Sequence, residues 1–76
     1  MKNHDEKFIK IGLNIAYYRK LRKMTQLELA EKANLSRTHI SNIEAPNMIT
    51  SISIETLLDI AEALEIPASH LLDFTR

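Results

Sequence analysis

Apolar residues in the first part of the chain recur every three or four positions. Phe8, Ile11, Ile15 and Tyr18 form one such row, and this spacing is typical of one face of an α-helix. The pattern therefore predicts a first helix from about Lys7 to Lys23.

The same helix carries a second apolar row on a different side, formed by Ile9, Leu13, Tyr17 and Leu21. One small core cannot easily face both rows. Two explanations remain open. Either a later loop folds over the second row through Met48, Ile49 and Ile52, or the row is a surface for another chain.

Capping signals divide the next part of the chain into two short helices. Thr25 and Glu28 fit a capping box, which starts helix 2 at about Gln26. Asn34 tolerates the left-handed conformation that closes such a helix. Ser36 then caps helix 3, which runs to Glu44 or Ala45 before Pro46 ends it.

Two more helices are predicted after the loop at residues 46–52. Ser53 caps helix 4, which ends near Glu65. The predicted inward residues of helix 4 are Ile54, Leu57, Leu58, Ala61 and Leu64. Pro67 suits the first position of a fifth helix that continues to about Leu72. Nothing in the pattern indicates a strand, so the prediction is an all-α bundle of five helices.

Length and composition limit the classes of protein that this chain can represent. With 76 residues, of which 45% are hydrophobic and 26% charged, we expect a single globular domain over 1–76 with its core at about 8–73. The absence of cysteine excludes disulfides and thiolate zinc sites. The chain has no apolar leader segment and no bilayer-length apolar run, so we expect a cytoplasmic protein with no membrane partner.

Charge is unevenly distributed although the formal net charge is zero. Residues 1–23 contain seven basic and two acidic residues, whereas residues 46–76 contain one basic and five acidic residues. A zero net charge taken alone argues against nucleic-acid binding. The asymmetry instead indicates an anionic partner on one side of the molecule.

The spacing of helices 2 and 3 fits a helix-turn-helix motif. If Gln26 is position one, Ala30 is fifth, where only a small side chain lets the two helices approach. Asn34 is ninth, at the turn, and Ile40 and Ile43 are fifteenth and eighteenth, both facing inward. All four requirements of the motif are met.

Residues 11–73 resemble the Cro/repressor (Xre-like) helix-turn-helix family. The resemblance rests on the segment from Tyr18 to Glu44, and on Ile54 to Leu64, which is similar to the family's fourth helix. It implies a lambda-repressor-like DNA-binding domain whose partner is double-stranded DNA, and a role in transcription regulation. It also implies that Arg19 and Glu44 form a partly buried ion pair between helix 1 and the end of helix 3.

Four polar residues of helix 3 lie about 90° or more from the inward direction midway between Ile40 and Ile43. They are the predicted base contacts Arg37, Thr38, Ser41 and Asn42. Arginine binds guanine and asparagine binds adenine in bidentate pairs, while the threonine methyl meets the thymine methyl. On an arbitrary helix, four such residues would simply face water.

Predicted phosphate contacts surround this helix. Gln26 matches a phosphate-clamping position of the family at the N-terminus of helix 2. The others are Ser36, His39 and Asn47. Lys20, Arg22 and Lys23 fit either phosphate contact or an ordinary solvated surface.

The loop after helix 3 departs from the family pattern. It lacks the usual glycine and the basic residues that follow it, so Asn47, Thr50 and Ser51 are the polar groups available there. We therefore expect a weak dependence of DNA affinity on salt. The C-terminal residues Ile66, Leu71, Leu72 and Phe74 are a second candidate surface for the homodimer that the resemblance implies.

Other function classes are less well supported. His4, His39 and His70 are far apart in sequence, and the chain has no glycine-rich phosphate loop. We therefore expect no enzyme activity, metal, cofactor or small-molecule ligand. The serious alternative is an antitoxin-like or anti-repressor module that holds a protein partner, with DNA binding secondary.

Overall fold

The five predicted helices are present in a computed structural model that describes residues 4–75. They are α1 (Asp5–Leu21), α2 (Gln26–Ala33), α3 (Arg37–Glu44), α4 (Ile54–Leu64) and α5 (Ala68–Leu71). Residues 4–75 contain no strand, and the predicted all-α class is confirmed. None of these helices combines the length and the apolar character that crossing a membrane requires.

Side-chain caps set the starts of α2, α3 and α4 where the sequence predicts them. Thr25 and Glu28 form the capping box, and Ser36 and Ser53 each accept a backbone N–H bond from the third residue of the following helix. Asn34 is left-handed, with φ 58°, and closes α2. Lys23 and Glu65 have the same left-handed φ, which the sequence does not predict.

Four predicted boundaries are wrong by one or two residues. α1 begins and ends two residues earlier than predicted. Its early end follows from Lys23, which is left-handed and cannot continue a helix. Pro67 occupies the N-cap of α5 and not its first helical position, and α5 ends at Leu71.

All five helices contribute to the core; α2 packs against α3 and α4, and α1 packs against α3, α4 and α5. Ile15, Leu29, Ile40, Ile60, Leu64 and Leu71 are its largest fully buried side chains. The predicted inward face of α4 is partly wrong. Ile54 and Leu58 are 70% and 52% exposed, whereas Ile60 is fully buried. The apolar arc of α4 is wider than the surface that its neighbours cover, so periodicity alone did not show which edge faces inward.

Gly12 is where α1 and α3 come closest. A Cβ atom added at Gly12 would clash with the carbonyl oxygen of Ile43 and would lie 3.4 Å from the Cα of Glu44. Glycine inside a helix costs about 1 kcal/mol relative to alanine. Here the missing side chain lets the backbone of α1 lie directly against the C-terminal turn of α3.

The C-terminal segment is anchored on α1 by a buried side chain. The Nδ2 amide of Asn14 donates to the carbonyl oxygens of Leu71 and Asp73, at 3.1 and 3.0 Å. Leu71 is fully buried, and Phe74 packs against the core. Most of the apolar C-terminal patch therefore belongs to the domain's own interior.

Candidate nucleic-acid interface

α2 and α3 form the predicted motif around a short left-handed turn. Ala30 is 1% exposed, and Ile40 and Ile43 are buried against the rest of the domain. The backbone N–H of Leu35 donates to the Ala30 carbonyl at 2.8 Å, which closes the turn around Asn34. The close packing at Ala30 fixes how α3 projects from the body.

The four predicted base-contacting residues lie on the outward side of α3, but they are not equally exposed. Arg37 and Thr38, at the N-terminal end of α3, are exposed. Ser41 and Asn42, one turn later, are half-buried. The two N-terminal residues of α3 are therefore the most accessible of the four.

The predicted phosphate-contacting groups at the start of α3 lie on its exposed side. The Ser36 hydroxyl accepts the backbone N–H of His39 at 3.0 Å. That bond uses an oxygen lone pair and leaves the hydroxyl hydrogen to donate elsewhere. His39 is half-buried, and Asn47 is exposed in the following loop.

Arg19 and Glu44 form a nearly buried ion pair behind α3. Two guanidinium nitrogens of Arg19 donate to the two carboxylate oxygens of Glu44, at 2.8 and 3.0 Å. A third, Nη1, donates to the Met24 carbonyl at 2.7 Å. The side chains are 11% and 6% exposed. This bidentate pair joins α1 and the turn before α2 to the last residue of α3.

Gln26 takes part in the same network. Its Nε2 amide donates to Oε1 of Glu44 at 3.0 Å. An amide has two N–H groups and an acceptor oxygen, so one N–H and the oxygen are left for another group. The contact fixes the side chain at the start of α2, and its role as a phosphate contact stays a prediction.

Arg22 has a structural role that the sequence does not indicate. Its guanidinium donates to the carbonyl oxygens of Leu64 and Glu65, at 2.9 and 3.0 Å, and so caps the C-terminal end of α4. A positive group there also interacts favourably with the helix dipole. Arg22 therefore connects the end of α1 to α4, and is not simply a phosphate-facing cation.

The loop after α3 does not cover the second apolar row of α1. Met48 and Ile49 are 47% and 51% exposed, and Leu21 of the row is 59% exposed. Only Ile52 packs against the core. The Thr50 hydroxyl donates to the Asn42 carbonyl at 3.3 Å, which holds the loop close to the end of α3. Of the two explanations left open for this row, the one in which the loop covers it is therefore wrong.

Sequence reasoning missed Gly12, Asn14 and Arg22. A single glycine in the middle of a helical pattern is itself a signal of close backbone approach. Asn14 lies beside the inward row of α1, where a polar residue needs a buried partner. Arg22 carries no signal, since nothing in the pattern places the end of α4 beside it. Among residues 4–75, no group of histidine and acidic side chains is arranged to hold a metal ion.

When the chain is compared with known protein families, one family matches most of its length. A family model described as helix-turn-helix matches residues 15–71, which include α2, α3, α4 and α5. The chain belongs to this helix-turn-helix family. The predicted resemblance is thereby confirmed.

Individual relatives of this helix-turn-helix chain are regulators. The immunity repressor of Bacillus phage phi105 is 46% identical over 61 residues, which are 80% of this chain and 41% of the repressor. The transcriptional regulator SinR of Bacillus subtilis is 38% identical over 63 residues, or 83% of this chain and 56% of SinR. The chain thus spans about half the length of these two relatives.

Solved structures show the same fold. SinR in complex with DNA superposes with a TM-score of 0.76 at 38% identity, covering 83% of this chain and 98% of that one. The restriction-modification controller C.AhdI of Aeromonas hydrophila superposes with a TM-score of 0.80, covering 87% and 97%. Its 24% identity supports the fold alone.

Proposed function

We propose that this helix-turn-helix chain is a sequence-specific transcriptional regulator of the cytoplasm, a repressor or controller that reads an inverted repeat as a homodimer. In this proposal α3 lies in the major groove and the N-terminus of α2 points at a phosphate. The observation that carries it is the orientation of α3, which buries Ile40 and Ile43 and exposes Arg37 and Thr38.

Each polar group at this surface has a role in the proposal. Arg37 and Thr38 contact base edges directly. Ser41 and Asn42 are half-buried and contact the bases closest to the body. The phosphate contacts are Gln26, Ser36, His39 and Asn47. In a two-fold dimer, half-sites would lie roughly 34 to 36 Å apart, about one turn of DNA.

The test of base recognition is Arg37→Ala. It should lower the affinity for the selected site by about 1 to 3 kcal/mol and relax the preference at one base pair. Titration of labelled duplexes that carry each base at that position measures both effects. Lys32→Ala removes the same charge from an exposed position of α2 and should leave the base preference unchanged. An Arg37→Ala protein with unchanged preference and helicity would exclude the proposed orientation.

Salt dependence tests how many phosphates are contacted. The loop 46–52 contains no basic residue, so we expect about five or six neutralised phosphates per dimer. The slope of log K against log salt should then be about −4 to −6. The measurement is a series of duplex titrations between low and moderate salt. A slope near −10 would show that more cations, such as Lys20 and Lys23, contact the backbone.

A protein-interaction module remains the second candidate, and the exposed apolar row of α1 favours it. In that case DNA binding would be secondary, and the isolated protein would show no strong preference for one duplex sequence. Selection of bound sequences from random duplexes separates the two functions, because a regulator yields a defined half-site and an interaction module does not.

A further inference from the structure

The outward side of α1 is an apolar stripe with a lysine at each end. We define the α1 face as Ile9, Lys10, Leu13, Tyr17 and Lys20. Leu13 and Tyr17 are 46% and 47% exposed, and Lys20 is exposed. A shallow groove of about 280 Å³ runs beside it, lined by Lys10, Leu13, Asn14, Tyr17, Asp73 and Phe74.

The α1 face points away from the recognition helix. Gly12 lies against Ile43 of α3, and Leu13 and Tyr17 are about 100° and 140° from Gly12 around the helix axis. DNA bound along α3 would therefore leave these two side chains exposed. A partner could bind the α1 face without displacing DNA.

A second exposed stripe, on α4, has the opposite charge. We define the α4 face as Ile54, Glu55, Leu58, Glu62 and Glu65. All five residues are exposed, and Ile54 is the most exposed large apolar side chain among the described residues, at 70%. Its three carboxylates would be repelled by phosphates, so this face also has to point away from bound DNA.

The two faces share the same spacing. Each has residues at positions i, i+1, i+4, i+8 and i+11, starting from Ile9 in one case and from Ile54 in the other. Lys10 and Lys20 are ten residues apart, about 15 Å along α1. Glu55 and Glu65 are also ten residues apart, from the first turn of α4 to its left-handed C-cap. A leucine lies three residues after the first charge in both faces, at Leu13 and Leu58.

We propose that the α1 face of one copy of this chain binds the α4 face of a second copy. The lysines of the first meet the carboxylates of the second, and Ile9 and Leu13 pack against Ile54 and Leu58, which occupy the same positions in the shared spacing. The inference rests on the proposed function, because it identifies the surface through which the two copies of the proposed homodimer bind each other. The zero net charge of the chain removes the general repulsion that would oppose such association.

Two observations favour this contact over an interface at the C-terminal patch and over a small-molecule ligand at the α1 face. Of the predicted C-terminal patch, Leu71 is buried, Ile66 and Phe74 pack on the core, and only Leu72 is well exposed. The groove beside the α1 face is smaller than the roughly 300 to 1,000 Å³ of typical ligand sites. It fits an inserted side chain better than a separate small molecule.

A charge exchange between the two faces tests the pairing. Lys10→Glu/Lys20→Glu makes both faces of one protein acidic, and Glu62→Lys/Glu65→Lys gives both faces of another a net positive charge, with Glu55 the one carboxylate left on its α4 face. Sedimentation velocity over a concentration series measures self-association, and circular dichroism verifies the fold. Each variant alone should self-associate at least about tenfold more weakly than the wild type, because like charges then face each other. An equimolar mixture of the two variants should recover association, since a contact between one copy of each variant again joins faces of opposite charge.

The control is Lys23→Glu/Lys32→Glu, which makes the same change in net charge outside both faces and should associate like the wild type. Association of the single variants at wild-type strength would overturn the proposal and point to the C-terminal patch. A wild-type protein that stays monomeric at all concentrations, or a mixture that does not recover association, would also overturn it. Because these measurements contain no DNA, their failure is separate from that of the Arg37→Ala titration.

Discussion

Arg19→Ala is expected to lower the free energy of unfolding by about 3 to 5 kcal/mol, the range for breaking a buried ion pair. The loss would leave the Glu44 carboxylate, which is 6% exposed, with only the amide of Gln26 as its described side-chain donor. It would also leave the Met24 carbonyl without its guanidinium donor. Since a domain of this size has a total stability of about 4 to 11 kcal/mol, this single change removes much of it.

Chemical denaturation followed by circular dichroism measures the effect. Lys7→Ala is the matched control, because it removes a positive charge from an exposed position of the same helix, outside both faces, and should change stability by less than about 0.5 kcal/mol. The double variant Arg19→Met/Glu44→Leu should lose less than Arg19→Ala, because it removes both charges together. If the stability lost by the double variant equalled the sum of the losses of Arg19→Met and Glu44→Leu, the two side chains would not be coupled as their distances indicate.

Gly12→Ala is expected to destabilise the fold by about 2 kcal/mol or more, because a side chain inserted into a filled contact forces the helices apart. The direction of the stability change is informative, since alanine in a helix interior is otherwise about 1 kcal/mol more favourable than glycine. The added Cβ would meet backbone atoms of Ile43 and Glu44, which cannot rotate away as a side chain can. Moving the two helices apart would displace the end of α3 and should weaken DNA binding as well.

Thermal and chemical unfolding measure the stability of this variant, and Ala16→Gly controls for helix propensity. Ala16 is half-buried in the same helix, so replacing it should cost about 1 kcal/mol through propensity. A Gly12→Ala protein that is more stable than the wild type would show that α1 and α3 are further apart than the structure has them.

Local signals account for most of what was predicted correctly. The starts of α2, α3 and α4 follow from Thr25, Ser36 and Ser53, because a capping side chain bonds to a backbone N–H only two or three residues away. The left-handed turn at Asn34 is local for the same reason. Arg37 and Thr38 were placed on the outward side of α3 because the helical period fixes their angle to Ile40.

The incorrect predictions concern which of two available faces is buried. Ile54 and Leu58 belong to an apolar arc that periodicity cannot distinguish from the buried one. The C-terminal patch was one of two candidate surfaces, but its Leu71 is buried, and Asn14 anchors the chain there. Arg22 caps α4 across 42 positions of sequence, and no local pattern contains such information.

The sequence by itself therefore determined the five helices, their caps, the helix-turn-helix spacing and the family, because each depends on interactions within about one turn. Only the tertiary structure decided which apolar rows are buried, where Arg22 and Asn14 bind, and why residue 12 is glycine. Those features depend on distances between helices that are far apart in the chain, and such distances are set by the packing of the whole core.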